Sequence, residues 1–159
     1  MTTGRALFYG TVAVAVIEST EVMTFHGLVN GVPPHQILQY IASGLLGRSA
    51  FEGGFATTLL GAALHFFNSF VIFAVYLAAS RRFAVLVRHP VVCGLLYGAG
   101  VHLFMADVVI PLSAARRGAF NPWMFLHGIV SQALVVGLPC AFIARAASPS
   151  VPERGPGAA

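Results

Sequence analysis

Three of the five acidic residues, Glu18, Glu21 and Asp107, stand inside long apolar runs. So do His65, His102 and His127, with His26 near the end of the first run and Gln132 within the last. Carboxylates and imidazoles pass protons, hold metal ions and pair with one another. In "IESTE", residues 17–21, Glu18 and Glu21 are three apart. They share one helix face and repel when both are charged, so at least one is expected to be protonated or paired with a histidine.

Three chemistries fit this set. The leading one is structural: a Glu–His hydrogen bond and a Gln–His contact that fix which helices are neighbours. The second is a metal or haem site, with His65 and His102 as a bis-histidine haem pair, or with Glu18, His65 and His102 around a transition metal. The third is proton or ion handling, as in a small permease subunit. No HxxxH or ExxH motif occurs within one apolar run, so the complete di-iron pattern is absent. There is also no GxSxG, no HExxH and no phosphate-binding glycine loop, and a conventional enzyme is not indicated.

The elements that carry these residues follow from composition. The chain has 159 residues, of which 57% are hydrophobic and 9% charged. Soluble domains carry about 25% charge. A chain so short of charge cannot cover a water-facing surface, which points to a membrane protein. Roughly 20 apolar residues cross a bilayer core. Four runs are long enough, at about 6–29, 55–79, 90–112 and 122–144. The first is not read as a signal peptide, because it holds two glutamates and no A-x-A site.

Between the first two spans, about 34–47 places Ile37, Leu38, Ile41, Leu45 and Leu46 on one helical face and Gln36, Gln39 and Ser43 on the other. It is too short to span and reads as an amphipathic helix at the interface or capping the bundle. Asn121 before Pro122 is a helix start, as is Pro90. Ser49 with Glu52 forms a possible capping box that would start the second span early. Pro111 ends the third span and Pro139 kinks the fourth. Gly94 and Gly98 form a small-xxx-small pattern, and Gly61 with Ala62 suggests another. The phenylalanines of "HFFNSFVIF" face lipid or pack the core. Trp123 and Tyr40 suit interface positions. The segment 148–159, rich in proline and glycine, is expected to be disordered.

All nine basic residues are arginines. Arg5, Arg81, Arg82, Arg88, Arg145 and Arg154 fall on the side of the termini, against Arg48, Arg116 and Arg117 on the other. That asymmetry predicts both termini in the cytoplasm. The arginines form no basic stripe, so a nucleic-acid partner is not indicated. Cys93 and Cys140 are too few for a disulfide framework.

Counting about 1.5 Å per residue from the outer helix ends puts Glu18, His65 and His102 at roughly 15–16 Å depth, with Gln132 beside them. His26, Asp107 and His127 fall at roughly 5–8 Å, with Glu21 between the layers. Four helices thus each deliver a polar group to one middle layer.

The stretch "ILQYIASGLLGRSAFEGGFATTLLGAALHFFNSFVIFAVYLAASRR", followed by "PVVCGLLYGAGVHLFMADVVIPLSA", resembles a group of small four-span bacterial inner-membrane proteins of unknown function. "IASGLLG", the histidine of "LGAALHF" and "VVIPLSA" carry the resemblance, which covers roughly residues 10–115. It implies the four-span architecture and draws attention to His65, but implies no activity.

The expectation is therefore an all-α integral membrane four-helix bundle with a short amphipathic helix between spans 1 and 2, in a bacterial cytoplasmic membrane. The lipid bilayer is its first partner. A permease role would call for a homo-oligomer or a larger membrane complex, since four spans are few for a transporter monomer.

Overall fold

A computed structural model of the chain describes residues 2–116 and 118–148. Apart from Ser148, the expected disordered tail lies outside the described residues, as do Arg117 and Arg154 of the charge balance. The described chain is helical and contains no strand. We label its main helices α1 (Thr3–Asn30), α2 (Pro34–Leu46), α3 (Gly54–Arg82), α4 (Val85–Arg88), α5 (Pro90–Leu112) and α6 (Pro122–Ala147). Four of them, α1, α3, α5 and α6, are long and apolar enough to cross a membrane. The chain is an all-α, integral membrane four-helix bundle with α2 between its first two spans.

The four spans alternate in direction, so the start of α1, the end of α3, the start of α5 and the end of α6 share one end of the bundle. There Arg81 donates to the Thr3 hydroxyl at 2.9 Å. We call this the termini end; α2 and the α5–α6 connection form the loop end.

The half near the termini end is closely packed. Ala6, Val14, Phe73, Tyr76, Leu77, Val136, Cys140, Ala141 and Ala144 are all buried there. Lipid is as apolar as leucine, so helices in a membrane associate through close van der Waals packing rather than hydrophobic expulsion. Small residues permit it. Gly94 and Gly98 of α5 lie directly on the α6 backbone at Gly137 and at Gln132–Ala133, and a Cβ at any of these glycines would collide with the facing main chain. Gly10 of α1 receives the ring of Phe73. Phe66, Phe67 and Phe70 point outward while Phe73 is fully buried, so the phenylalanine run divides between lipid and core. Gly61 packs not on a neighbouring span but on the backbone of α2 at Leu38. Between α3 and α5 the link is aromatic: the Tyr97 hydroxyl donates to the Ile72 carbonyl at 2.7 Å, and the Tyr76 and Tyr97 rings meet edge to face.

Two spans contain a widened π-helical turn, Met105–Val109 in α5 and Ala133–Gly137 in α6. Each ends two residues before a proline, Pro111 or Pro139. A proline ring clashes with the carbonyl four residues back and supplies no N–H to it. Those carbonyls belong to Asp107 and Val135, both inside the π turns. Widening the turn makes room for the ring without breaking the helix.

One local expectation is corrected. The Ser49–Glu52 capping box does not form. Residues Gly47–Phe51 make a 3₁₀ turn, and the Ser49 hydroxyl donates back to the Leu46 carbonyl at 2.8 Å. Helix α3 instead begins at Gly54 with φ +56°, a left-handed value that glycine adopts without strain. By contrast, Asn121 does cap α6, its Oδ1 accepting from the Trp123 and Met124 amides at 3.0 and 3.3 Å.

Helix α2 does not bury one clean apolar face: Ile37, Leu38 and Ile41 are half-buried and Gln36 is exposed. Gln39, Ala42 and Ser43 are buried against the bundle, while Leu45 and Leu46 are exposed. Gln39 donates to the Gly54 carbonyl at 3.2 Å and to the Thr57 hydroxyl at 3.4 Å, satisfying polar groups at the start of α3. Buried Gln39 thus has its partners within the protein, as a polar group away from water must.

Candidate functional site

The polar residues within the spans gather in the half nearer the loop end, and α1 is their hub. Successive residues on a helix are turned by about 100°. Thr11, Glu18, Glu21 and Phe25 therefore share a face toward α6, while Ala15 and Ser19 are turned toward α3. That geometry settles the partners.

Glu18 accepts a hydrogen bond from Gln132 of α6 at 2.6 Å. Glu21 meets His127 of α6, Oε1 to Nε2, at 3.1 Å, with both side chains about one-quarter exposed. One turn beyond Glu21, the Phe25 ring lies flat on the His127 imidazole, with centroids 3.5 Å apart and planes 12° apart. The imidazole is thus held at its edge by a carboxylate and on its face by an aromatic ring, both from one helix.

On the adjacent face of α1, His65 of α3 brings Nε2 to 2.8 Å from the Ser19 hydroxyl and 3.1 Å from the Ala15 carbonyl. A carbonyl oxygen only accepts, so Nε2 must carry the proton. That tautomer leaves the ring's lone pair on Nδ1.

His102 of α5 sits apart from these pairs. Its ring packs on Gly128 of α6, where a Cβ would overlap the imidazole, and stands edge-on to Phe125 at 5.3 Å. Its Nε2 is buried with no hydrogen-bond partner, as are Oε1 of Gln132 and the hydroxyl of Thr11. His26 bonds Asn30 at 3.0 Å within its own helix, near the loop end. Asp107 is exposed in the π turn of α5 rather than part of a buried shallow layer.

The sequence-derived layer is thus redistributed. Glu18, Glu21, His65, His127 and Gln132 are all engaged across helices, but the expected Glu18–His65 contact is replaced by Glu18–Gln132 and His65–Ser19. The Glu–His pair that does form is Glu21–His127. Ser19 and Phe25 were missed: a serine inside an apolar helix and an aromatic one turn past a glutamate look like ordinary packing until their neighbours are known.

Among the described residues, no group of three or more His, Cys, Asp and Glu comes together that could hold a metal ion. His65 spends its Nε2 on α1 and His102 packs against α6, so the two imidazoles serve different helix pairs.

No family model matches the chain, and no curated protein or solved structure matches it either.

Proposed function

We propose that this chain is a multi-pass protein of a bacterial cytoplasmic membrane, with both termini in the cytoplasm, in which the glutamates and histidines of the spans serve to fasten helices. The kinship with small four-span bacterial inner-membrane proteins belongs to the same proposal. One observation carries the structural reading: Glu18, Ser19 and Glu21, within four residues of α1, each bond a different side chain on α3 or α6. Interhelical polar contacts of this kind contribute about 0.6 kcal/mol each on average in membrane proteins. Three of them on one helix tie α1 to both α3 and α6 in the half nearer the loop end. Doubly substituted Glu18→Leu, Glu21→Leu protein should insert into membranes as the parent does but melt at lower temperature in detergent. An unchanged melting temperature overturns the structural reading.

A second reading, proton or ion handling by a permease subunit, is favoured by the three buried polar atoms without partners, on Thr11, His102 and Gln132. Buried polar groups are almost always hydrogen-bonded, so such atoms mark positions for a further donor or acceptor. They lie on α1, α5 and α6, along with Glu18. Proteoliposomes loaded with a pH-sensitive dye test this: a proton flux that Glu18→Gln abolishes supports it, and no flux above empty liposomes sinks it.

A further inference from the structure

At the loop end, two chain segments far apart in sequence form one cleft. The Ala114 amide donates to the Gly44 carbonyl at 2.9 Å, tying the segment after α5 to α2. Gly47, at φ +60°, lies against Ala114 and turns the chain sharply into the 3₁₀ turn. Arg48 from that turn and Arg116 from the other segment then line the same cleft of ≈ 500 Å³, together with Tyr40, Ser43, Phe51 and Glu52. Among the described residues, neither guanidinium is hydrogen-bonded or ion-paired. The Ser43 hydroxyl is already committed to the Tyr40 carbonyl at 2.6 Å.

Two guanidinium groups converging on a cleft present forked donors of the geometry that matches phosphate oxygens. Glu52 opposes them, leaving one net positive charge. Exposed Leu45, Leu46 and Phe51 stand beside it, offering an apolar surface at the same level. A ligand that satisfies both features carries a singly charged phosphoryl group and an apolar tail.

We propose that the Arg48–Arg116 cleft binds the phosphodiester of an anionic phospholipid, with its acyl chains lying over the exposed leucines of α2. This rests on the membrane reading of the chain. The charge matches one-to-one, and basic side chains beside membrane helices attract anionic headgroups by about 1 kcal/mol each.

The test uses full-length protein in a neutral detergent. Thermal unfolding is followed with added phosphatidylglycerol, with phosphatidylcholine, and with inorganic phosphate. Phosphatidylglycerol should raise the melting temperature and phosphatidylcholine should not. Removing either arginine, as Arg48→Gln or Arg116→Gln, should weaken apparent phosphatidylglycerol binding about fivefold. Glu52→Gln should strengthen it. Arg82→Gln, at the other end of the bundle, should leave it unchanged, and all four variants should melt like the parent in phosphatidylcholine, which shows that they fold. A shift with inorganic phosphate of equal size, lost in the same two variants, supports the phosphoryl site and assigns it to a soluble anion. No shift with either anion, or a shift that survives Arg48→Gln with Arg116→Gln, overturns the proposal. Failure of the membrane reading is seen separately, as protein in the supernatant after membrane fractionation.

Discussion

His127 is clamped from one side only, by Glu21 at 3.1 Å and by the flat ring of Phe25, which stand one turn apart on α1. The pair joins the first and last spans near the loop end. On that stretch of the α1–α6 seam, a polar bond and a ring stack act on the same imidazole.

A double-mutant cycle on Glu21→Leu and His127→Leu, read by chemical unfolding in mixed micelles, should give a coupling above the roughly 0.5 kcal/mol found for non-interacting sites. Glu21→Gln keeps a hydrogen-bond acceptor and should cost less than Glu21→Leu. Equal costs for the two substitutions would show that the carboxylate position carries no bond worth having.

The glycines of α5 give a sharper contrast. A Cβ at Gly98 would strike the α6 backbone at Gln132, whereas one at Gly100 meets nothing within 4 Å. Gly98→Ala should destabilise by about 1–3 kcal/mol, the usual cost of overpacking. Gly100→Ala should be neutral or stabilising by up to about 1 kcal/mol, through helix propensity. Similar unfolding midpoints for the two variants would mean that α5 and α6 are not packed this closely.

For α2, the prediction concerns which face meets lipid. Single cysteines at Leu45 and at Ser43, carrying a spin label, should differ in collision with a lipid-soluble relaxer. The label at 45 should be strongly exposed and the one at 43 protected. Reversed accessibilities would put Leu45 inward and Ser43 outward, against the described orientation.

The number and place of the helices were legible because apolar length is a strong signal: runs near 6–29, 55–79, 90–112 and 122–144 correspond to helices at Thr3–Asn30, Gly54–Arg82, Pro90–Leu112 and Pro122–Ala147. The α2 periodicity was equally plain, but periodicity gives two faces without saying which is inside. The buried side proves to be mixed, with Gln39 and Ser43 inside and Leu45 and Leu46 outside. The capping box failed because Ser49 sits inside a 3₁₀ turn, where its hydroxyl bonds the Leu46 carbonyl, and α3 begins only at Gly54. Partner choice in the polar layer was not legible. Depth counting ranks residues along the bundle axis, but a bond depends on angle around it, and that rotation is fixed by how whole helices pack, as where Phe73 seats on Gly10 and Gly98 on Gln132.

Topology follows from charge asymmetry and is tested independently of any side-chain geometry. Reporter fusions at residue 2 and after residue 148 should both report cytoplasm, given the arginines at the termini end. A periplasmic signal from either fusion would reverse the bundle and move the Arg48–Arg116 cleft to the cytoplasmic leaflet.

The sharpest discrimination lies between Glu18 and its two candidate partners. By depth alone Glu18 and His65 are level, and a cycle between them would be expected to show coupling. The helix places them differently: Glu18 faces α6 and bonds Gln132 at 2.6 Å, while Ser19, turned by about 100°, takes His65. Glu18→Leu with Gln132→Leu should therefore be coupled above about 0.5 kcal/mol, whereas Glu18→Leu with His65→Leu should be closer to additive. Part of any residual coupling in the second cycle would pass through α1 itself, since Ser19 adjoins Glu18; Ser19→Ala with His65→Leu measures the direct contact and should exceed it. If Glu18 couples to His65 more strongly than to Gln132, α1 is rotated from the orientation described, and the Glu21–His127 and Ser19–His65 bonds fall with it.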